Sequence, residues 1–135
     1  KINMVVRKVT RRKDCKYYVE RGLEKLGYSV NDRLQEKLAQ NECTVTYTGC
    51  REAIDTTESY YGPFEMCITF QVDDNNEIPY MIMEIMPSIT KYVEDSGAPW
   101  CTSFRFTKTE VRQLGGTTSI VNMYCIYDME LDWVD

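Results

Sequence analysis

Histidine is absent from the 135 residues of this chain. Ser-His-Asp and Cys-His catalytic arrangements need an imidazole, as do histidine-containing metal sites, so these chemistries are excluded. The pair Gly115–Gly116 is followed by neither a lysine nor a predicted helix, so the chain has no glycine-rich phosphate-binding loop. These absences leave catalysis without positive support, and we predict no catalytic residue, no metal site and no cofactor.

Long apolar runs are also lacking. No stretch reaches the roughly 18 residues of a membrane-spanning helix, so we predict no membrane insertion. The composition is 43% hydrophobic, 12% aromatic and 27% charged, which is typical of a globular chain, and the length suits a single domain over residues 1–135. The chain begins with Lys1 rather than methionine, which predicts a mature product or an excised domain.

Cysteine is frequent and even in number. The six residues are Cys15, Cys43, Cys50, Cys67, Cys101 and Cys125. We predict three disulfides, with fifteen connectivities left open, and therefore a secreted or extracellular location. A metal site would need closely spaced pairs, whereas the nearest two cysteines, Cys43 and Cys50, are separated by six residues. Six reduced, buried thiols in an intracellular protein are the third interpretation.

Positive charge is concentrated near the start of the chain. Residues 1–37 contain eleven Lys or Arg against five Asp or Glu, although the whole chain has a net charge of −5. The acidic remainder argues against nucleic acid as a partner. The basic residues Arg7, Arg11 and Arg12 are candidate contacts for an acidic partner, and the alternative is a solvated end that balances the acidic remainder.

Two helices are predicted before residue 41. Asp14 precedes apolar residues at Val19, Leu23 and Leu26, which share one helical face, and Gly27 is placed to end that helix. A second helix, over about Asp32–Gln40, repeats the face and follows a potential capping box that starts at Ser29.

From Glu42 onward, apolar and polar residues alternate with a period of two, as in a strand, instead of following the helical period. Strands are predicted from residue 43, over 64–72 and over the apolar run 78–86, while residues 51–63 are predicted to form a loop. A short helix is considered for residues 88–95. Residues 101–112 and 118–133 then predict a hairpin that turns at Gly115–Gly116.

The hairpin register limits how its cysteines can pair. With the turn at Gly115–Gly116, Cys125 lies opposite Phe106, which leaves Cys101 roughly 16 Å away along the strand. That distance exceeds the Cα separation that a disulfide permits, so no Cys101–Cys125 bond is expected. Cys15 is the candidate partner for Cys125.

The predicted fold class is α+β, with two N-terminal helices packed on an antiparallel sheet of four to five strands and stabilised by disulfides. This element order resembles that of cystatin-like folds, in which a curved sheet wraps around a helix. The resemblance extends to element order alone, because the inhibitory Gln-x-Val-x-Gly loop of cystatins is missing.

Ten tyrosines direct the functional prediction towards protein binding. Tyrosine is enriched at interfaces, and Tyr60–Tyr61 lies in a polar segment, so this pair is a candidate contact site. We predict a secreted or surface-exposed, non-catalytic domain that binds another protein. The alternative is a small-molecule carrier or inhibitor with a curved-sheet, cystatin-like architecture, whose apolar pocket Met81, Met83 and Met86 would line. A third interpretation is an enzyme that uses carboxylates such as Asp73, Asp74 and Glu77.

Overall fold

The described part of the chain forms two α-helices and a five-stranded mixed sheet. The computed structural model describes residues 13–31, 38–39, 41–50 and 60–130. Its helices are α1 (Cys15–Lys25) and α2 (Ile78–Asp95), and its strands are β1 (Ser29–Asn31), β2 (Glu42–Cys50), β3 (Tyr60–Val72), β4 (Thr102–Gly115) and β5 (Thr118–Glu130). The strand order is β1-β2-β3-β5-β4. The α+β class is therefore correct, but the predicted arrangement within it is not.

Helix α1 begins and ends where the local signals place it. The Asp14 carboxylate accepts a hydrogen bond from the Tyr17 N–H at 2.8 Å, which caps the first turn. At the other end Gly27 has a φ of +100°, and the Tyr28 N–H donates to the Leu23 carbonyl at 3.1 Å. This is a Schellman motif, which requires a left-handed residue after the helix. The first predicted helix is confirmed.

Helix α2 replaces the strand predicted over residues 78–86. Its buried residues Ile78, Ile85, Ile89 and Val93 recur at intervals of seven, four and four, which is a helical stripe. Pro79 lies in the first turn, where a missing N–H costs nothing. Nearly every position of residues 78–86 is apolar, so the run fits the apolar spacing of a helix and that of a strand equally well. The sequence pattern could not distinguish the two, and the predicted strand is wrong.

The sheet is mixed because β1 runs parallel to β2, with Val30 opposite Cys43. The prediction of a wholly antiparallel sheet is therefore wrong. Ser29, expected to cap a second helix, instead begins β1. Most of the predicted helix over 32–40 lies outside the described residues, and Leu38 and Ala39, which are described, are not helical. Among the described residues before position 41 the structure therefore has one helix where two were predicted.

Strand β3 begins earlier than predicted, at Tyr60, so the end of the predicted loop 51–63 belongs to the sheet. The hairpin of β4 and β5 is confirmed, and Phe106 lies opposite Cys125 as predicted. Bulges shift the register by one residue over Lys108–Gln113 and by two residues at Gly115, so the two-residue turn lies one position later than predicted, at Gly116–Thr117. Its turn has Gly116 at φ +59°, the positive angle that a tight two-residue connection needs at its first central position.

The core lies between the two helices and one face of the sheet. Five cysteines are buried with free thiols, namely Cys15, Cys43, Cys67, Cys101 and Cys125. The prediction of a disulfide-stabilised fold is thus contradicted for every cysteine side chain that the structure describes, including the suggested Cys15–Cys125 pair. Cys101 and Cys125 are not bonded to each other, as the register required. Four of them, Cys15, Cys43, Cys101 and Cys125, fill the core between the helices and the sheet as small apolar groups.

None of the helices in the described part of the chain has the length and apolarity needed to cross a bilayer.

Candidate functional site: an acidic aromatic cavity

Of the residues predicted from the sequence to contact a partner, the structure describes only the backbones of two. Arg7, Arg11 and Arg12 lie outside the described residues. The backbones of Tyr60 and Tyr61 start β3, opposite Glu130 and Met129 of β5, and their side chains lie outside the description.

A cavity of about 330 Å³ lies where the first turn of α2 meets the ends of β2 and β3. It is lined by Tyr28, Asn41, Glu42, Phe70, Gln71, Val72, Asp73, Glu77, Tyr80, Met81 and Glu84. Its size falls at the lower end of the range for small-ligand sites.

The inner wall of the cavity is aromatic. The rings of Tyr28 and Phe70 meet edge to face, with their centroids 5.1 Å apart. Burial raises the pKa of the Tyr28 hydroxyl, and the negative charges of Glu84 and Glu77 raise it further. The hydroxyl therefore remains protonated at neutral pH and can donate a hydrogen bond.

Four carboxylates line the same cavity, those of Glu42, Asp73, Glu77 and Glu84. None of the eleven lining residues is a lysine or an arginine. The ion pairs found in the described part of the chain include none of these four acids. The cavity thus concentrates negative charge that no neighbouring cation of the described protein neutralises.

The wall formed by residues 73–77 is fastened to the β4–β5 turn. The Asn75 N–H donates to the Thr117 carbonyl at 3.0 Å, and the Thr117 hydroxyl donates to the Asp73 carbonyl at 2.7 Å. The Ser119 hydroxyl adds a bond of 2.5 Å to the Asn75 side chain. These bonds fix the backbone of Asp73 and Asn75 relative to the β4–β5 hairpin, which lowers the entropy that this wall loses on binding.

The opposite wall depends on a strained residue. Asn41 has a φ of +68°, in the left-handed region that Asn tolerates better than most residues. Its carbonyl accepts a hydrogen bond of 2.7 Å from the Ser29 N–H, which joins the start of β1 to this corner. One carboxylate oxygen of the next residue, Glu42, accepts a hydrogen bond of 2.7 Å from the Ala39 N–H.

This arrangement is chemically suited to a cation that also has apolar surface. Carboxylates attract the charge, while the face of an aromatic ring accommodates an ammonium or guanidinium group and its methylene groups. No three His, Cys, Asp or Glu residues of the described ranges are placed to hold a metal ion together.

Only one of the three methionines predicted to line an apolar pocket lines this cavity. Met81 lines the cavity, but Met83 is 71% exposed and Met86 packs against the core. The carboxylates Asp73 and Glu77, singled out from the sequence, do belong to the cavity.

One signal could have revealed more of the site. Glu77, Tyr80, Met81 and Glu84 are spaced by three, one and three residues, which is one face of a helix. The pattern was missed because the segment was interpreted as a strand. No protein-family model matches this chain, and no curated protein matches it either.

Proposed function

We propose that this protein is a non-catalytic binding domain that receives a lysine or arginine side chain of a partner protein in the acidic aromatic cavity. The observation that carries the proposal is the group of four carboxylates around the Tyr28–Phe70 wall, with no basic residue in the lining. A basic side chain would place its charge among the carboxylates and its methylene groups against the partly exposed ring of Tyr28, which packs on the buried ring of Phe70.

The rim of the cavity supports a protein as the source of that cation. Tyr80 is 74% exposed and Met83 is 71% exposed, and they lie one helical turn apart on α2. Tyrosine and methionine are enriched in protein–protein contacts. A folded or extended partner could therefore cover α2 while one basic side chain enters the cavity.

The charge of the cavity also determines how binding should respond to salt. Carboxylates near a protein surface act over distances comparable to the Debye length, which is about 10 Å at 0.1 M salt. Affinity for a cation should therefore fall as salt is added, mainly through slower association.

The test is an NMR titration with single-residue probes. N-acetyl-arginine amide and N-acetyl-lysine amide are added at low salt, with N-acetyl-glutamine amide as the uncharged control. We expect the charged probes to shift signals of Tyr28 and Phe70, with affinities at least about tenfold above that of the control.

Variants locate the binding. Glu84→Gln and Glu77→Gln should each weaken binding of the charged probes severalfold, because each removes one of the four lining carboxylates. Glu94→Gln is the matched control, since Glu94 lies exposed on the same helix and outside the lining. Equal binding of all three probes, or equal effects of Glu84→Gln and Glu94→Gln, would contradict the proposal.

The absence of catalysis and the extracellular location stay predictions. The five described thiols form no disulfide, so the location has lost the premise from which it was argued.

A further inference from the structure

Strand β4 is an edge of the sheet. It has 14 residues, and among the described strands its neighbour is β5 alone. An edge strand presents unpaired N–H and C=O groups that can bond to another strand. The side chains of β4 beyond Phe106 are mostly exposed, and Val111 and Leu114 are 49% and 52% exposed.

Bulges restrict where such pairing could occur. Register shifts interrupt β4 between Thr102 and Arg105, between Phe106 and Lys108, and between Gln113 and Gly115. Between these shifts, Lys108–Gln113 pairs with β5 at every residue. Since a bulge twists the edge and breaks its hydrogen-bond repeat, Lys108–Gln113 is the segment suited to a new strand.

The charges of this segment alternate in sign along one face. Lys108 is positive, Glu110 negative and Arg112 positive. Lys108 Nζ lies 3.6 Å from Glu110 Oε2 and 4.8 Å from the centroid of the Tyr124 ring. Arg112 forms no ion pair with a described residue. Charges on an edge commonly discourage pairing, but this alternation makes the segment complementary to itself.

Three two-fold registers can be compared. Centring the antiparallel pair on Glu110 would oppose two glutamates and place Lys108 opposite Arg112, which like-charge repulsion disfavours. Centring it on Thr109 would extend the pairing into the bulge near Phe106. Centring it on Val111 keeps the pairing within the regular segment, places Glu110 opposite Arg112 twice, and brings the two exposed Val111 side chains together.

We propose that two copies of this chain associate through antiparallel pairing of their β4 strands, with the two-fold axis at Val111. The two sheets then become one continuous sheet. The interface joins one edge of each copy over few residues, so it is a weak association that depends on concentration.

The experiment measures self-association of the full chain by sedimentation equilibrium over a wide range of protein concentration. Arg112→Glu and Glu110→Arg each create a like-charge pair, twice per dimer, and each should raise the dimer dissociation constant by about tenfold or more. The double variant Glu110→Arg with Arg112→Glu restores opposite charges and should return the constant to within about threefold of the original protein.

Two further variants define the register. Arg105→Glu lies on the same strand outside the paired segment and should leave the dissociation constant unchanged. Lys108→Glu separates the registers, since Lys108 faces Glu110 in the Thr109-centred pair but not in the Val111-centred pair. Circular dichroism of each variant checks that the fold is retained.

A protein that remains monomeric at the highest concentration would overturn the proposal. So would single charge reversals that leave the dissociation constant unchanged, or a double variant that fails to recover. Loss of association in Lys108→Glu with retention in Arg112→Glu would overturn the Val111-centred register.

Discussion

Gly22 of α1 and Ile89 of α2 meet so closely that a Cβ added to Gly22 would lie 2.9 Å from Ile89 Cδ1. The same Cβ would lie 3.4 Å from Cδ2 of Tyr92. Both Gly22 and Ile89 are buried, so the missing side chain allows the two helices to approach.

This contact predicts a non-additive pair of substitutions. Gly22→Ala gains about 1 kcal/mol of helix propensity. It also overpacks against Ile89, which costs about 1–3 kcal/mol, so we expect a net loss of about 1 kcal/mol. When Ile89→Val has removed Cδ1, Gly22→Ala should instead raise the free energy of unfolding. Urea unfolding of the four proteins measures the coupling, and strictly additive effects would contradict the contact.

The Asp14 cap predicts a dependence of stability on pH. Burial raises the pKa of the Asp14 carboxyl, although hydrogen bonds from the Tyr17 N–H and the Tyr47 hydroxyl lower it. A raised pKa in the folded state means that the contribution of Asp14 to stability is fully present below about pH 4. It is lost as the pH rises through the folded-state pKa.

The variant Asp14→Asn isolates this effect, because asparagine also caps a helix but does not titrate. The free energy of unfolding of the original protein, measured relative to Asp14→Asn, should fall between pH 3 and pH 7. High salt should leave this trend largely intact, since burial is its main cause. A difference that is constant or rises with pH would show that the pKa of Asp14 is not raised.

The buried thiols of Cys15, Cys43 and Cys125 should resist modification in the folded protein. Burial raises the pKa of the Cys43 and Cys125 thiols to about 12, and it raises that of Cys15 as well. Because the thiolate is the reactive form, an aromatic disulfide reagent at pH 8 should label these residues only after denaturation. The substitution Met83→Cys, at an exposed position of α2, supplies a reactive thiol as the control. Rapid labelling of Cys43 or Cys125 in the native protein would contradict their burial.

The backbone conformation of Ser103 predicts an unusual order of stability for substitutions at this position. It has a φ of +56°, in the left-handed region, at a bulge of β4. Ser103→Gly removes the steric cost of that angle, which is about 1–2 kcal/mol, and should be neutral or stabilising after the entropy of the unfolded chain is included. Ser103→Val places a β-branched residue there and should cost about 2 kcal/mol. Thermal unfolding of both variants tests the order, and a more stable valine variant would refute it.

Local signals in the sequence predicted α1 and the β4–β5 hairpin. Asp14 and Gly27 fulfil requirements that arise within one or two turns of chain, namely an acceptor for free N–H groups and a residue that tolerates a positive φ. Gly116 similarly supplies the positive φ of a tight turn, and the alternation in β5 then determines which of its residues face the core. No distant contact was needed for either inference.

The identity of α2, the parallel β1 and the acidic cavity were decided by tertiary structure. The apolar run that begins at Ile78 satisfies both periods, and it is helical because its stripe packs against α1 and the sheet. The cavity combines residues near Asn41, Phe70 and Glu84, which are far apart in the chain and meet through the strand order and the packing of α2. The even number of cysteines likewise left open whether they are bonded, since cysteine can also fill a core without a covalent partner, and the tertiary structure shows five of them as buried free thiols.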